Sequence, residues 1–213
     1  LKNLKVYIIL ILKDKNFMAT KPFRKTIVTP VGTAIYPWLN TPDTRFGEPT
    51  YKVNLRLSGE DATKFIAQVD AIKEEAMVHL GVKDLIVPIV PALDDDKNEI
   101  PGSYDVKTKA KAHFKQADGS LIENNITIVD AQKNPMDASA GAIWGGSKLK
   151  LALNVGAVST SIYSGLMLRI NAVQVIDLVT GGQGGANAFD KEDGFTAEPK
   201  PAVTVAEGED ETI

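Results

Sequence analysis

The most regular pattern of apolar and polar positions runs through residues 141–178, GAIWGGSKLKLALNVGAVSTSIYSGLMLRINAVQVIDL. Lys148, Lys150 and Ala152 alternate with Leu149, Leu151 and Leu153. After a stretch of small residues the alternation returns, with Leu166, Leu168 and Ile170 set against Met167, Arg169 and Asn171. A period of two is the mark of strands with one packed face and one wet face. The wet face here carries lysine and arginine. The segment therefore reads as the closing strand pair of a small barrel that offers cations to something anionic.

The same period appears upstream. Residues 24–39 predict a first strand interrupted at Pro30, Val31 and Gly32, where Pro and Gly indicate a bulge or a barrel bend. Residues 40–50 form a polar loop holding Arg45 and Phe46. In 51–57, Tyr51, Val53, Leu55 and Leu57 share one face, and Lys52, Asn54 and Arg56 the other. In 104–115, Val106, Thr108, Ala110, Ala112 and Phe114 oppose Lys107, Lys109, Lys111, His113 and Lys115. Like charges side by side on a sheet repel, so this face is either an anion-binding surface or an edge strand kept soluble by lysine. Asp118 and Gly119 mark a hairpin turn, residues 121–129 a further strand, and 130–141 a polar loop.

One stretch has the helical period instead. Phe65, Val69, Ile72, Ala76 and Leu80 form an apolar stripe over 58–80. Ser58 is placed to cap its start, Glu60 and Asp61 suit the first turn, and Gly81 suits its end. This helix is expected to plug the sheet and carries no chemistry.

Composition narrows the picture. With 213 residues, 44% apolar and 24% charged, the chain fits one ordinary domain with extra tail. No cysteine is present, which excludes disulfides, thiolate nucleophiles and thiolate metal sites. The net charge of −3 is unevenly spread. Residues 190–213 hold eight acids against two bases, 1–17 four lysines against one aspartate, and the stretch between is neutral with 18 of each. A neutral body still binds an anion if its cations share a face. The apolar run of seven residues in 6–12 is too short to span a bilayer. Residues 1–17 are read as a non-native or disordered extension ahead of Met18, with an added edge strand as the competing reading. The predicted organisation is thus 1–17 extension, 18–180 binding domain, and 181–213 Gly-rich linker and acidic tail.

Catalytic patterns are missing. Gly145, Gly146, Ser147 and Lys148 imitate a phosphate loop, but the upstream glycine is absent and a strand follows. Asp94, Asp95 and Asp96 lack calcium-loop spacing and read as a solvated loop. His113 reads as a phosphate or surface contact and His79 as helix surface or packing. No enzyme, no metal site and no cofactor are expected.

About five strands, one helix and a basic face together predict a mainly β fold: a five-stranded OB-type Greek-key barrel with one capping α-helix and a disordered acidic C-terminal tail. Oligonucleotide sites on such barrels combine cations with aromatic rings that stack on bases. Tyr36, Trp38, Phe46, Tyr104, Trp144 and Tyr163 are the available rings, each equally open to being core; Trp144 beside its Gly pair, then Tyr163 in a turn, are the preferred ones.

The segments VGTAIYPWL, RFGEPTYKVNL, SGEDATKF, VKTKAKAHF, IWGGSKLKLAL and LMLRINAVQVIDL, with the Gly-rich acidic end, are similar to the single-stranded DNA-binding proteins of T-odd-type tailed phages over residues 26–213. The chain departs from that pattern at Thr50, Gly156 and Val158, and in ending on Ile213. The resemblance implies sequence-tolerant binding of single-stranded DNA in phage replication, recombination and repair, in the cytoplasm of a bacterial host. It implies backbone contacts from Arg45, Lys52, Lys107, Lys109, Lys111, Lys148 and Lys150, to which the strand faces add Arg56 and Arg169. It implies that the tail, including Glu207, Glu209, Asp210, Glu211 and Ile213, contacts the phage DNA polymerase and primase-helicase and competes with DNA. A homodimer is a further expectation; a membrane partner is not. Two rivals stand beside this reading: an OB-like protein-interaction module, whose mark would be a strand face with lysines paired internally with acids such as Asp105 and Glu123, and an RNA- or duplex-DNA-binding variant.

Overall fold

The computed structural model describes residues 22–137 and 141–180, all within the first of the chain's two units, Leu1–Gly181. The expectations for residues 1–17 and for the acidic tail lie outside the described residues. The described elements in chain order are β1 Arg24–Val28, β2 Gly32–Asp43, β3 Thr50–Ser58, α1 Gly59–Leu80, β4 Ile89–Leu93, β5 Glu99–Lys111, β6 His113–Lys115, β7 Leu121–Glu123, β8 Thr127–Val129, β9 Lys148–Ser159 and β10 Ser164–Asp177.

Five of these strands close a ring. β2 pairs antiparallel with β3, β3 antiparallel with β5, β5 parallel with β10, β10 antiparallel with β9, and β9 antiparallel with β2. A closed antiparallel circuit with one parallel joint is the five-stranded OB-type barrel. The alternation in the sequence explains its filling: Val53, Leu55 and Leu57 on β3, and Leu149, Leu151, Leu153 and Val155 on β9, are all buried. Each such side chain contributes about 1.5–3 kcal/mol on burial. The remaining strands lie outside the ring. β1 extends the sheet beyond β9, β4 pairs β5, β8 pairs β10, and β6 with β7 forms a separate two-stranded sheet.

α1 packs the stripe of Phe65, Val69, Ile72 and Ala76, with Ala62, into the same core. Its end is fixed by Gly81 at φ 66°: the Gly81 and Val82 N–H groups donate to the carbonyls of Val78 and Met77, a Schellman closure that the left-handed residue permits. Ser58 stands at the N-cap, but its hydroxyl pairs with that of Ser103 at 2.8 Å and does not cap the backbone.

Three expectations change in detail. The interruption at Pro30 divides the first run into β1 and β2. Gly32 restarts the chain where a Cβ would stand 2.6 Å from the Leu55 side chain and 2.8 Å from the Arg56 carbonyl, so β3 passes too close for any side chain. The run 121–129 is two strands in two sheets, because β7 stays with its hairpin partner while β8 returns to β10. Phe114 does not share the packed face of Ala112; beyond the bend at Ala112 the chain leaves the barrel, and Phe114 is exposed on the hairpin opposite Ile122.

Candidate nucleic-acid interface

Leucines and valines that fill the barrel force their neighbours outward, so the polar residues of β3, β5 and β10 meet on its outer surface. Strand register then sorts them into lines. Trp38 on β2 stands opposite Lys52 on β3, Lys52 opposite Lys109 on β5, Lys109 beside Arg169 on β10, and Arg169 opposite Asn154 on β9. Neighbouring strands lie about 4.8 Å apart, so three cations on successive strands share roughly 10 Å of surface. Lys107 and Lys111 flank Lys109 on the same strand, opposite Asn54 and Thr50. Among the described residues no ion pair joins Lys107, Lys109 or Arg169 to an acid. Facing like charges cost the sheet a few tenths of a kcal/mol each, and an anion laid across them would remove that cost.

The β2 end of this line is built around Asp43. Its side chain is only 3% exposed and accepts hydrogen bonds from Arg45 through Nε and the backbone N–H, both at 3.0 Å, and from Nη2 at 3.3 Å. Lys52 Nζ lies 2.5 Å from Asp43 Oδ2, the oxygen that Arg45 Nη2 also reaches. The Arg45 and Lys52 donors together hold the Asp43 carboxyl well below the usual carboxylate range. They are held in turn: the Arg45 guanidinium sits 4.5 Å over the Trp38 ring and 5.5 Å from Phe46, and Lys52 Nζ is 5.6 Å from Phe46. These are cation–π distances. Phe46 is otherwise open, at 81% exposure.

A bulge places the rings of β2. Ile35 pairs with Asn54 and Trp38 with Lys52, so Tyr36 and Pro37 together oppose Val53 alone. Pro37 has no N–H for the ladder, and a two-against-one bulge resets the alternation. Ala34 and Leu39 are buried as a result, while Tyr36, which strict alternation would send inward with Ala34, is exposed. Its φ is +50°, which costs a residue other than glycine of order 1 kcal/mol.

Trp144 joins this end of the surface. The Ile143 N–H donates to Asn40 Oδ1 at 2.8 Å, the Gly146 N–H to the Ala34 carbonyl at 2.9 Å, and the Ala34 N–H to the Ser147 carbonyl at 2.8 Å. The loop carrying half-exposed Trp144 thus runs along the part of β2 that holds Tyr36 and Trp38.

Other predicted residues stand apart. Arg56 is bidentate to Asp105 at 2.8 and 3.0 Å and donates to the Leu93 carbonyl at 3.0 Å. Lys111 pairs with Glu48 at 2.6 Å, which lowers the Glu48 carboxyl's pKa. Lys148 donates to Thr33 Oγ1 at 2.8 Å, and partly buried Lys150 stands opposite Gln174. Tyr163 lies in the β9–β10 turn, its N–H on Thr160 Oγ1 at 3.0 Å; it precedes Arg169 by six residues on a strand, about 20 Å away. Glu123 stands opposite His113 on the outlying hairpin. The tail residues lie outside the described residues. The residues passed over by the preferred list are Tyr36, Trp38 and Phe46, whose signal was the bulge-forming Tyr-Pro-Trp sequence and the acid at Asp43. Among the described residues no cluster of three or more His, Asp or Glu could hold a metal, and no helix is long and apolar enough to cross a membrane.

No family model and no curated protein sequence matches the chain. Solved structures do. One similar structure is gp2.5, a single-stranded DNA-binding protein encoded by bacteriophage T7, at TM-score 0.61 and 22% identity over 83% of this chain and 100% of that one. Another is the single-stranded DNA-binding protein from bacteriophage Enc34 in complex with single-stranded DNA, at TM-score 0.55 and 16% identity over 74% of this chain and 89% of that one. The C-terminally truncated Enc34 protein matches at TM-score 0.55 and 15% identity over 71% and 85%. At these identities the likeness establishes a shared fold.

Proposed function

We propose that this chain is a phage-type single-stranded DNA-binding protein that holds the sugar-phosphate backbone along Lys52, Lys109 and Arg169 and stacks bases on the rings at the β2 end. The observation that carries the reading is the line of facing cations, of which Lys109 and Arg169 have no acid partner, running into an aromatic cluster on an OB-type barrel. Such a surface suits single strands, whose bases are free to stack, with each stacked base worth about 1–3 kcal/mol. The fold neighbours named for single-stranded DNA binding support it.

The finer reading gives residues 18–180 the binding role and no reaction. It places the protein in replication, recombination and repair in the host cytoplasm. The tail, with eight acids against two bases after residue 189, would act as a tethered anion at high effective concentration near the cations, leaving them when DNA arrives and then meeting the polymerase and primase-helicase. Truncation after Gly185 then tightens DNA binding at low salt, and unchanged affinity would remove the tail from the scheme.

The deciding experiment is tryptophan fluorescence during titration with oligo-dT at two salt concentrations, with duplex DNA and RNA as competitors. Quenching that weakens steeply with salt, and oligo-dT preferred over both competitors, is the expected result. No binding at low salt by a tail-deleted chain would move the function to a protein-interaction module.

A further inference from the structure

Tyr36 presents an unusual conjunction. It is a large apolar ring at 79% exposure. It sits in the left-handed backbone region in the middle of a twelve-residue strand. Two other described residues besides glycine share that region, Lys97 and Lys133, and each closes a turn whose hydrogen bond runs from its own N–H to Asp94 or Asp130. Tyr36 closes no turn. It occupies the first position of a bulge, where left-handed backbone makes glycine the favoured residue. Tyrosine there has neither burial nor local hydrogen bonding to offset the strain, and residues held this way cluster at ligand sites.

Its surroundings indicate the ligand. Trp38 lies two residues on, already covered by the Arg45 guanidinium. Across the sheet Arg56 faces Thr33, three residues before Tyr36, and is closed in its pair with Asp105. Tyr36 is therefore an uncovered ring beside a cation–π cluster, on the β2 edge of the cationic line. Resting on the single-strand reading above, we infer that Tyr36 is the primary base-stacking platform of the free protein, held open by the bulge at Tyr36 and Pro37 for a nucleobase whose backbone runs toward Lys52.

The test uses Tyr36→Phe, Tyr36→Leu and Tyr36→Gly in the full chain, each titrated by anisotropy with a labelled dT oligomer and with an abasic oligomer of equal length. Tyr36→Phe should bind both like the wild type. Tyr36→Leu should lose roughly tenfold on dT, the scale of one stacked base, and nothing on the abasic chain. Tyr36→Gly suits the backbone, so it should keep or raise Tm while losing the same factor, which separates lost stacking from lost folding. Equal binding of dT by Tyr36→Leu and wild type would overturn the assignment. So would an equal loss on the abasic chain, which marks a role in shaping β2. If the wild type binds neither oligomer, the single-strand reading itself fails and takes the assignment with it.

Discussion

Lys52 and Arg56 stand four residues apart on β3, and both point out of the barrel. Arg56 faces Asp105 across the sheet and closes a bidentate pair with it. Lys52 faces Lys109, which in turn lies beside Arg169. The first line of side chains is neutral within the fold; in the second Asp43 offsets Lys52, but Lys109 and Arg169 lie side by side with no acid partner among the described residues. Counting cations would rate the two alike. What separates them is the residue one strand over, and only the second line has a reason to attract an anion. The mark of the rival protein-interaction reading, lysines paired internally with acids, is present at Lys52 with Asp43 and at Lys111 with Glu48, and absent among the described residues at Lys107 and Lys109.

The largest expected effect comes from removing the unpaired cations together. Lys107→Gln, Lys109→Gln and Arg169→Gln in one chain should lower the salt slope of single-strand binding by about 2, and affinity at 0.1 M salt by roughly a hundredfold, since each lost phosphate contact removes about 0.7 from the slope. The same change relieves like-charge repulsion, so thermal stability should hold or rise. Reduced binding with a raised or level Tm is the result that fits. A falling Tm would show that these side chains hold the sheet together and that the contrast with Arg56 was misread.

Arg56→Gln tests the other line. Asp105 is nearly buried and would lose its partner, which costs about 1–3 kcal/mol of stability. Binding should change by less than about twofold, against the roughly fivefold that one lost phosphate contact gives at 0.1 M salt. Urea unfolding and DNA titration on the same sample measure both. A fivefold loss of affinity with unchanged stability would return Arg56 to the DNA surface.

Much of this was readable in the chain itself. Alternation in 51–57, 104–111, 148–153 and 166–170 sorted barrel-facing from outward residues, because burial on one face imposes a period of two. The helix was legible because its stripe, its first-turn acids and Gly81 agree with one another. Register was not legible. Nothing local to Lys52, Lys109 or Arg169 says that they share a line, nor that Arg56 meets Asp105, because pairing depends on strand order and on where bulges fall. Phe114 was misplaced for a related reason: its alternation is intact, but the strand has left the barrel. Tyr36 was passed over because Tyr-Pro inside an apolar run signals a bulge but not which way the ring turns.

Acid gives a third comparison, at the acids lying within the cationic surface. The carboxyls of Asp43 and Glu48 are both held below their ordinary values, by Arg45 with Lys52 and by Lys111. A carboxyl whose folded pKa is depressed adds stability above its unfolded pKa of about 4, and that stability is lost as pH falls through the folded value. Thermal melts from pH 7 downward should therefore show Tm dropping below pH ~4. The drop should be shallower for Asp43→Asn, whose Tm at pH 7 should start lower. Parallel acid limbs for wild type and variant would mean that Asp43 does not order Arg45 and Lys52.

The smallest effect is the most discriminating for Lys111. Its pair with Glu48 is exposed on both sides, 57% and 74%, so Glu48→Gln should leave stability within about 0.5 kcal/mol. The freed lysine continues the outward series of Lys107 and Lys109 on β5. Single-strand affinity at pH 7 should accordingly tighten by about twofold, and the salt slope should steepen by no more than about 0.7. That gain belongs to a lysine within reach of the backbone and restrained by its own acid. Unchanged affinity and slope would place Lys111 past the end of the DNA path, leaving Lys107 and Lys109 as the β5 contacts.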